Sequence, residues 1–166
     1  MKIFVLNYQL AQQFQFTEPT IVIRIFDPGC TKADGNNASQ KLQPSEFPVL
    51  EFCYELEDID LTVYEGDEEV YTRLSQRPIM TPEIAKKMVD DFGGVLAASN
   101  TPFNTLAVHC NAGISRSVAT AFALTRKFGI VPEWQGRRTI GLMKAKADKF
   151  DEYIGNRWVY RKILEA

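Results

Sequence analysis

One stretch in the second half of the chain most constrains how it folds, because a buried strand, a tight loop and a helix follow one another directly. Thr105–Val108 is an apolar run of strand length. Val118–Phe128 carries apolar residues at helical spacing, and Gly129 supplies a typical helix stop. Cys110 lies after the strand, and five residues separate it from Arg116. The pattern predicts a cysteine at the end of a strand and an arginine where a helix begins.

This layout has a direct chemical interpretation. A tight loop that enters a helix directs backbone N–H groups into one concavity, and the helix dipole adds positive potential there. That field favours the thiolate form of Cys110. Arg116 adds a planar fork that can bind two oxygens of a phosphate. A thiolate nucleophile in a phosphate-binding loop implies phosphoryl transfer through a phosphocysteine intermediate.

The segment His109–Ser117 reads HCNAGISRS. It resembles the signature of the cysteine-dependent protein tyrosine and dual-specificity phosphatase superfamily, in the dual-specificity form His-Cys-x-Ala-Gly-x-Ser-Arg-Ser. The flanking strand, the glycine, the hydroxyl after the arginine and the following helix all agree with it, which disfavours a merely structural cysteine. The resemblance implies a cysteine phosphatase-like α/β fold, with a mainly parallel central sheet flanked by helices and the phosphate loop between a strand and a helix.

The resemblance also implies roles for individual residues. Cys110 attacks phosphorus, while Arg116 and the loop amides bind the non-bridging oxygens. Ser117 hydrogen-bonds the sulfur and eases breakdown of the phosphocysteine. The alternative interpretation is that its hydroxyl only caps the helix. His109 orders the loop by hydrogen bonding. Substrate-binding residues are expected at Asn111, Ala112, Gly113, Ile114, Ser115 and Arg116.

A carboxylic acid must protonate the leaving oxygen and then activate water. Asp58 is the first choice, because it follows a strand and matches the family's acid-bearing Asp-Ile/Val position. Asp60 is the second and Asp67 the third, and all three remain open as plain loop carboxylates. The segment from Asp58 to Cys110 is longer than in compact dual-specificity enzymes, and the extra residues, roughly Leu61 to Met80, leave the position of the acid open.

Three further segments extend the resemblance. Ile23–Gly29, Leu56–Ile59 and Asn156–Tyr160 are similar to parts of a bacterial and phage branch of predicted tyrosine phosphatases. Together with the cysteine motif, the likeness spans most of the chain. Residues 1–166 are therefore expected to form a single phosphatase domain.

Composition limits the partners and cofactors. With 45% hydrophobic and 24% charged residues, the sequence is typical of a soluble globular protein. A net charge of −2 gives no electrostatic case for binding nucleic acid or a membrane. No apolar run reaches the length of a membrane span, and polar residues interrupt the N-terminal apolar run. A cytoplasmic location is expected.

The cysteines and the single histidine exclude further classes. Cys30, Cys53 and Cys110 are widely spaced and odd in number, which argues against a disulfide framework. They also lack metal-ligand spacing, so neither a zinc site nor another cofactor is expected. His109 cannot serve as the base of a cysteine protease, because adjacent strand residues point to opposite faces.

The rest of the chain yields a coarse secondary-structure prediction. Strands are expected at Ile3–Leu6, Thr20–Phe26 and Val49–Leu56, with a surface loop over Cys30–Pro48. A helix should begin at Pro82 after an N-cap at Thr81. Its end is expected near Gly93-Gly94, or further on near Ala98. The acidic residues between positions 57 and 69 are expected in a solvated loop. The chain beyond Gly129 is expected to be helical, with breaks at its glycines and proline. Trp158–Leu164 should form a closing helix that packs on the core through its aromatic side chains.

The function expected on these grounds is metal-independent hydrolysis of phosphotyrosine in a phosphorylated protein or peptide, with phosphoserine and phosphothreonine as further substrates left open. A phosphopeptide-binding module is the first alternative, although it would need no thiolate. A phosphoinositide or RNA 5′-end phosphatase is disfavoured by the uncharged loop. A sulfur transferase or arsenate reductase remains open, with Cys53 or Cys30 as the resolving cysteine.

Overall fold

Short β-branched strands form the centre of the fold. The computed structural model describes residues 1–29, 42–98, 102–136 and 155–166. Its five-stranded sheet has the order β3-β2-β4-β1-β5, and every pair is parallel. This confirms the predicted α/β class and sheet. The strands are β1 Lys2–Asn7, β2 Thr20–Phe26, β3 Val49–Glu55, β4 Thr105–Cys110 and β5 Glu133–Trp134.

The helix predicted from Pro82 onward begins at that residue. Thr81 caps α3 (Pro82–Ala97) by accepting a hydrogen bond from the Ile84 N–H at 3.3 Å. The helix continues past Gly93, where a side chain would lie 3.0 Å from the Phe128 ring. The later of the two predicted ends is therefore confirmed. The helices are α1 Tyr8–Gln12, α2 Glu68–Ser75, α3 Pro82–Ala97, α4 Arg116–Lys127 and α5 Arg157–Glu165, with a 3₁₀ turn at Leu61–Tyr64.

Both faces of the sheet are covered. Ile23 and Val108 belong to the larger core, which also holds buried residues of α3, α4 and α5. Val22 and Ala107, on the opposite face, pack in a smaller cluster with Phe16. Because neither face of β2 or β4 meets water, these strands read as continuous apolar runs.

Two predictions differ from the structure. Glu133 and Trp134, expected in a helical region, pair in parallel with Lys2 and Ile3. The prediction is wrong there because two residues are too few to show a period, and the pairing is fixed by backbone bonds to β1. The acidic segment contains α2 in addition to loop. The prediction followed the charge run, whereas Tyr71 and Leu74 of α2 are partly buried against the larger core.

Some predictions lie outside the described residues. They are the loop over residues 30–41, including Cys30, and the helical expectation for residues 137–154. In the ranges that the structure does describe, no helix is long and apolar enough to cross a membrane.

Candidate active site

The candidate site lies where the carboxyl ends of the parallel strands meet. β4 ends at Cys110, α4 begins at Arg116, and the residues between them form the cysteine loop (residues 110–116). β4 is central, with β2 on one side and β1 on the other. Residues that follow β1, β2 and β3 therefore lie along the same edge of the sheet as the cysteine loop.

Two hydrogen-bonding groups, the Gly113 N–H and the Ser117 hydroxyl, contact the sulfur of Cys110. Cys110 is 1% exposed. Its Sγ accepts a bond from the Gly113 N–H at 3.3 Å and lies 3.2 Å from Ser117 Oγ. Both partners can donate to a thiolate, so this environment suits a negatively charged sulfur.

Gly113 allows the cysteine loop to pack directly on the end of β1. Its φ is +70°, a conformation that favours glycine. A Cβ there would lie 2.6 Å from the backbone of Leu6 and Asn7. The neighbouring Asn111 carbonyl accepts a bond from the Tyr8 N–H at 3.2 Å. The loop conformation thus requires glycine at position 113.

Arg116 is a buried cation whose side chain contacts Asp27, Leu56 and Asp58. Its side chain is 4% exposed, and its Nη1 pairs with Asp27 Oδ1 at 2.7 Å and donates to the Leu56 carbonyl. Its buried Nε has no hydrogen-bond partner among the described residues. A buried donor left unpaired costs about 1–3 kcal/mol. An oxyanion that entered beside it would remove that cost.

Asp58 lies at the rim of the cysteine loop. Its Oδ1 accepts bonds from Ser115 Oγ at 2.7 Å and from Asn156 Nδ2 at 2.9 Å. Its Oδ2 lies 3.9 Å from Arg116 Nε. One carboxylate oxygen is therefore anchored, while the other faces the arginine.

The other two candidate acids cap backbone turns. Asp60 Oδ1 accepts bonds from the N–H groups of Thr62 and Trp158, both at 3.1 Å, and its Oδ2 accepts from the Arg157 N–H at 3.0 Å. Asp67 caps α2 through the Val70 N–H at 3.1 Å. Within the described ranges, no hydrogen bond or ion pair joins either carboxylate to the cysteine loop. Asp58 is the one of the three that the fold brings to the loop.

His109 lies on the opposite face of the sheet from Cys110. Its ring packs edge-on against Phe26, with 5.5 Å between the ring centroids, and its Nε2 accepts a bond from Arg24 Nε at 3.1 Å. Burial, followed by the charge of Arg24, lowers the pKa of His109 to about 3. The ring is therefore neutral near pH 7, with its proton on Nδ1. Its Nδ1 is buried without a hydrogen-bond partner among the described residues, so the loop-ordering role of His109 stays a prediction.

Sequence reasoning missed Asp27, which it treated only as part of a turn. Asp27 follows β2, pairs with Arg116 and accepts a hydrogen bond from the Asn111 amide. The signal was present, because a carboxylate directly after a strand lies at the edge where ligands bind. What the sequence lacked was the strand order, which places β2 beside β4.

The remaining loop residues add no charge to the site. Ile114 is 48% exposed and presents an apolar side chain beside the anion-binding groups. In the part of the chain that the structure describes, no group of three or more His, Cys, Asp or Glu residues could hold a metal ion. Comparison of the chain with family models, curated proteins and solved structures finds no match.

Proposed function

We propose that this chain is a protein phosphatase that hydrolyses phosphotyrosine through a phosphocysteine intermediate. The observation that carries the proposal is the presence, in one loop, of a buried, hydrogen-bonded thiol and of a buried arginine whose Nε–H has no hydrogen-bond partner among the described residues. Cys110 supplies the nucleophile, and Arg116 supplies a donor for a phosphoryl oxygen. These are the two groups that metal-independent phosphoryl transfer to sulfur requires.

In the first step, the Cys110 thiolate attacks phosphorus in line with the leaving oxygen. The S–P bond forms as the P–O bond to the tyrosine breaks. The side chain of Arg116 and the amides of the cysteine loop hold the three non-bridging oxygens. Asp58 Oδ2 gives its proton to the departing phenolate oxygen.

In the second step, water attacks phosphorus from the side that the tyrosine has left. The Asp58 carboxylate takes a proton from this water, and the S–P bond breaks to release inorganic phosphate. The electron pair returns to Cys110 Sγ. Ser117, whose Oγ lies 3.2 Å from that sulfur, donates a hydrogen bond to the leaving thiolate.

The side chains around the loop favour a peptide with a single phosphate over a ligand with several phosphates. Positions 111 to 115 carry no charge, and among the described residues two carboxylates, Asp27 and Asp58, stand beside Arg116. An inositide or RNA end with further phosphates would meet these carboxylates with like charge. The exposed Ile114 offers an apolar contact that suits an aromatic ring better than an aliphatic phosphoserine.

A resolving-cysteine mechanism that uses Cys53 gains no support. In the sheet, Cys53 of β3 lies opposite Arg24 of β2, and Arg24 lies opposite His109 of β4. Two strand spacings, about 10 Å, therefore separate β3 from β4. Disulfide formation needs Cα atoms within about 7 Å. Burial, with the nearby Glu51, also raises the pKa of Cys53 to about 11, which disfavours its thiolate.

The test is hydrolysis of phosphotyrosine, phosphoserine and phosphothreonine peptides of one sequence. Wild type and Cys53→Ser should cleave phosphotyrosine alike, and Cys110→Ser should be inactive while still binding the peptide. EDTA should not reduce turnover, and orthovanadate should block it. Binding without turnover by the wild type would favour the binding module, and equal turnover by Cys110→Ser would refute the mechanism.

A further inference from the structure

The C-terminal helix reaches the cysteine loop through the residues that precede it. Gly155 has a φ of +82°, and a Cβ there would lie 2.5 Å from the Ser115 carbonyl oxygen. Asn156, the N-cap of α5, is 2% exposed. The start of α5 is therefore packed against the loop that carries Cys110.

Both ends of the Asn156 amide are used. Its Oδ1 accepts a bond from the Val159 N–H at 3.0 Å and so caps α5. Its Nδ2 donates to Asp58 Oδ1 at 2.9 Å. The cap requires an oxygen and the carboxylate requires a donor, so the two contacts together define the orientation of the amide.

We propose that Asn156 is a positioning residue for Asp58, an inference that rests on the proposed function. Asn156 and Ser115 both donate hydrogen bonds to Asp58 Oδ1, one from the start of α5 and one from the cysteine loop. This leaves Oδ2, 3.9 Å from Arg116 Nε, as the oxygen that carries the proton to the leaving group. Asn156 itself does not touch the substrate.

The backbone around Asp58 is fixed by the same helix. Asp60 accepts bonds from the N–H groups of Arg157 and Trp158. Together with the Asn156–Asp58 contact, three bonds tie residues 58–60 to the first turn of α5. The position of the acid therefore depends on a helix almost a hundred residues further along the chain. Loss of the Asn156 contact should lower kcat and leave KM nearly unchanged, because it displaces a proton donor and not the phosphate site.

Asn156→Ser separates the two functions of the amide. Serine keeps a capping oxygen but has no Nδ2 donor for Asp58. Measurement of kcat/KM over aryl phosphates of graded phenol pKa should show a loss of about tenfold for phosphotyrosine, the order that one hydrogen bond to a charged group provides. The loss should shrink for acidic phenols, which leave without a proton. The matched control is Tyr160→Phe on the same helix, which removes only the bond from Arg126 and should not change the leaving-group slope.

A double-mutant cycle with Asp58→Asn provides the decisive comparison. If Asn156 acts through Asp58, Asn156→Ser should change the rate less than about twofold in the Asp58→Asn background. Equal losses in both backgrounds, or a wild-type slope in Asn156→Ser, would overturn the positioning role and leave the phosphatase proposal intact. Absence of phosphotyrosine hydrolysis by the wild type would overturn both.

A second variant tests the inference in case Asn156→Ser fails to fold. Asn156→Asp also keeps a capping oxygen, and it places a like charge where Asp58 had a donor. Because the like charge favours the protonated form of Asp58 and repels anions, the variant should bind vanadate more weakly than Asn156→Ser, and its leaving-group slope should still differ from that of wild type if the amide donor positions Asp58. A wild-type slope in this variant would overturn the inference, whatever the stability of the serine variant.

Discussion

The single histidine, which is buried next to Cys110 in β4, gives a quantitative prediction of how the free energy of unfolding depends on pH. His109 is 2% exposed, and burial, followed by the charge of Arg24, lowers its pKa from 6.5 to about 3. Between these two values the unfolded chain binds a proton that the native protein excludes. The free energy of unfolding must therefore fall as pH is lowered below 6.5, and it is unaffected by this residue above that pH.

The size of the effect follows from the interval between the two pKa values. Each pH unit below 6.5 removes up to about 1.4 kcal/mol. At pH 5, where most carboxylates are still ionised, the loss should be about 2 kcal/mol. Because the chain has one histidine, no other imidazole contributes to this window.

The assay is urea denaturation of wild type and His109→Gln at several values between about pH 7.5 and pH 5. Glutamine keeps an oxygen that can accept the Arg24 bond but takes up no proton. The difference in unfolding free energy between the two proteins should shrink or reverse by about 2 kcal/mol over this range. A difference that stays constant within about 0.5 kcal/mol would refute the reasoning, because it would mean that the native ring binds its proton as readily as the unfolded chain does.

Three further perturbations address other parts of the site. Gly113→Ala should lower the unfolding free energy by about 2–3 kcal/mol in urea titrations, because its Cβ would collide with the backbone of β1, and wild-type stability would contradict this. Asp60→Asn should cost about 1 kcal/mol by the same assay, because the amide keeps only one acceptor oxygen for the N–H groups of Arg157 and Trp158, and wild-type stability would contradict this. Arg116→Lys should lose about 100-fold or more in kcat/KM and bind vanadate weakly, since a point charge cannot replace the planar fork, and near-normal kinetics would make Arg116 merely structural.

Sequence alone predicted the parts of the fold that local patterns encode. β2 was predicted with its observed bounds, because a β-branched run followed by Asp27-Pro28-Gly29 is unambiguous. The start of α3 was predicted equally well, because Thr81 and Pro82 are strong capping signals. In contrast, β5 has only two residues and depends on backbone pairing with β1, which no local pattern reveals.

The same distinction between local patterns and long-range contacts applies to the candidate site. Cys110, Arg116 and Ser117 were predicted because one continuous motif contains them. Asp27 and Asn156 were not assigned roles, because their contacts with Arg116 and Asp58 join residues 89 and 98 positions apart. Such contacts depend on strand order and helix docking, which a single sequence does not encode locally.

The central claim is that phosphate passes through the sulfur of Cys110. Rapid acid quenching of wild type during turnover of a radiolabelled phosphotyrosine peptide, followed by peptide mapping, measures this directly. The account predicts one labelled phosphoryl group on the peptide that contains Cys110, absent in Cys110→Ser and unchanged in Cys53→Ser. Turnover of the labelled substrate with no phosphoryl group on Cys110 in any early quench, together with hydrolysis by Cys110→Ser at the wild-type rate, would contradict it.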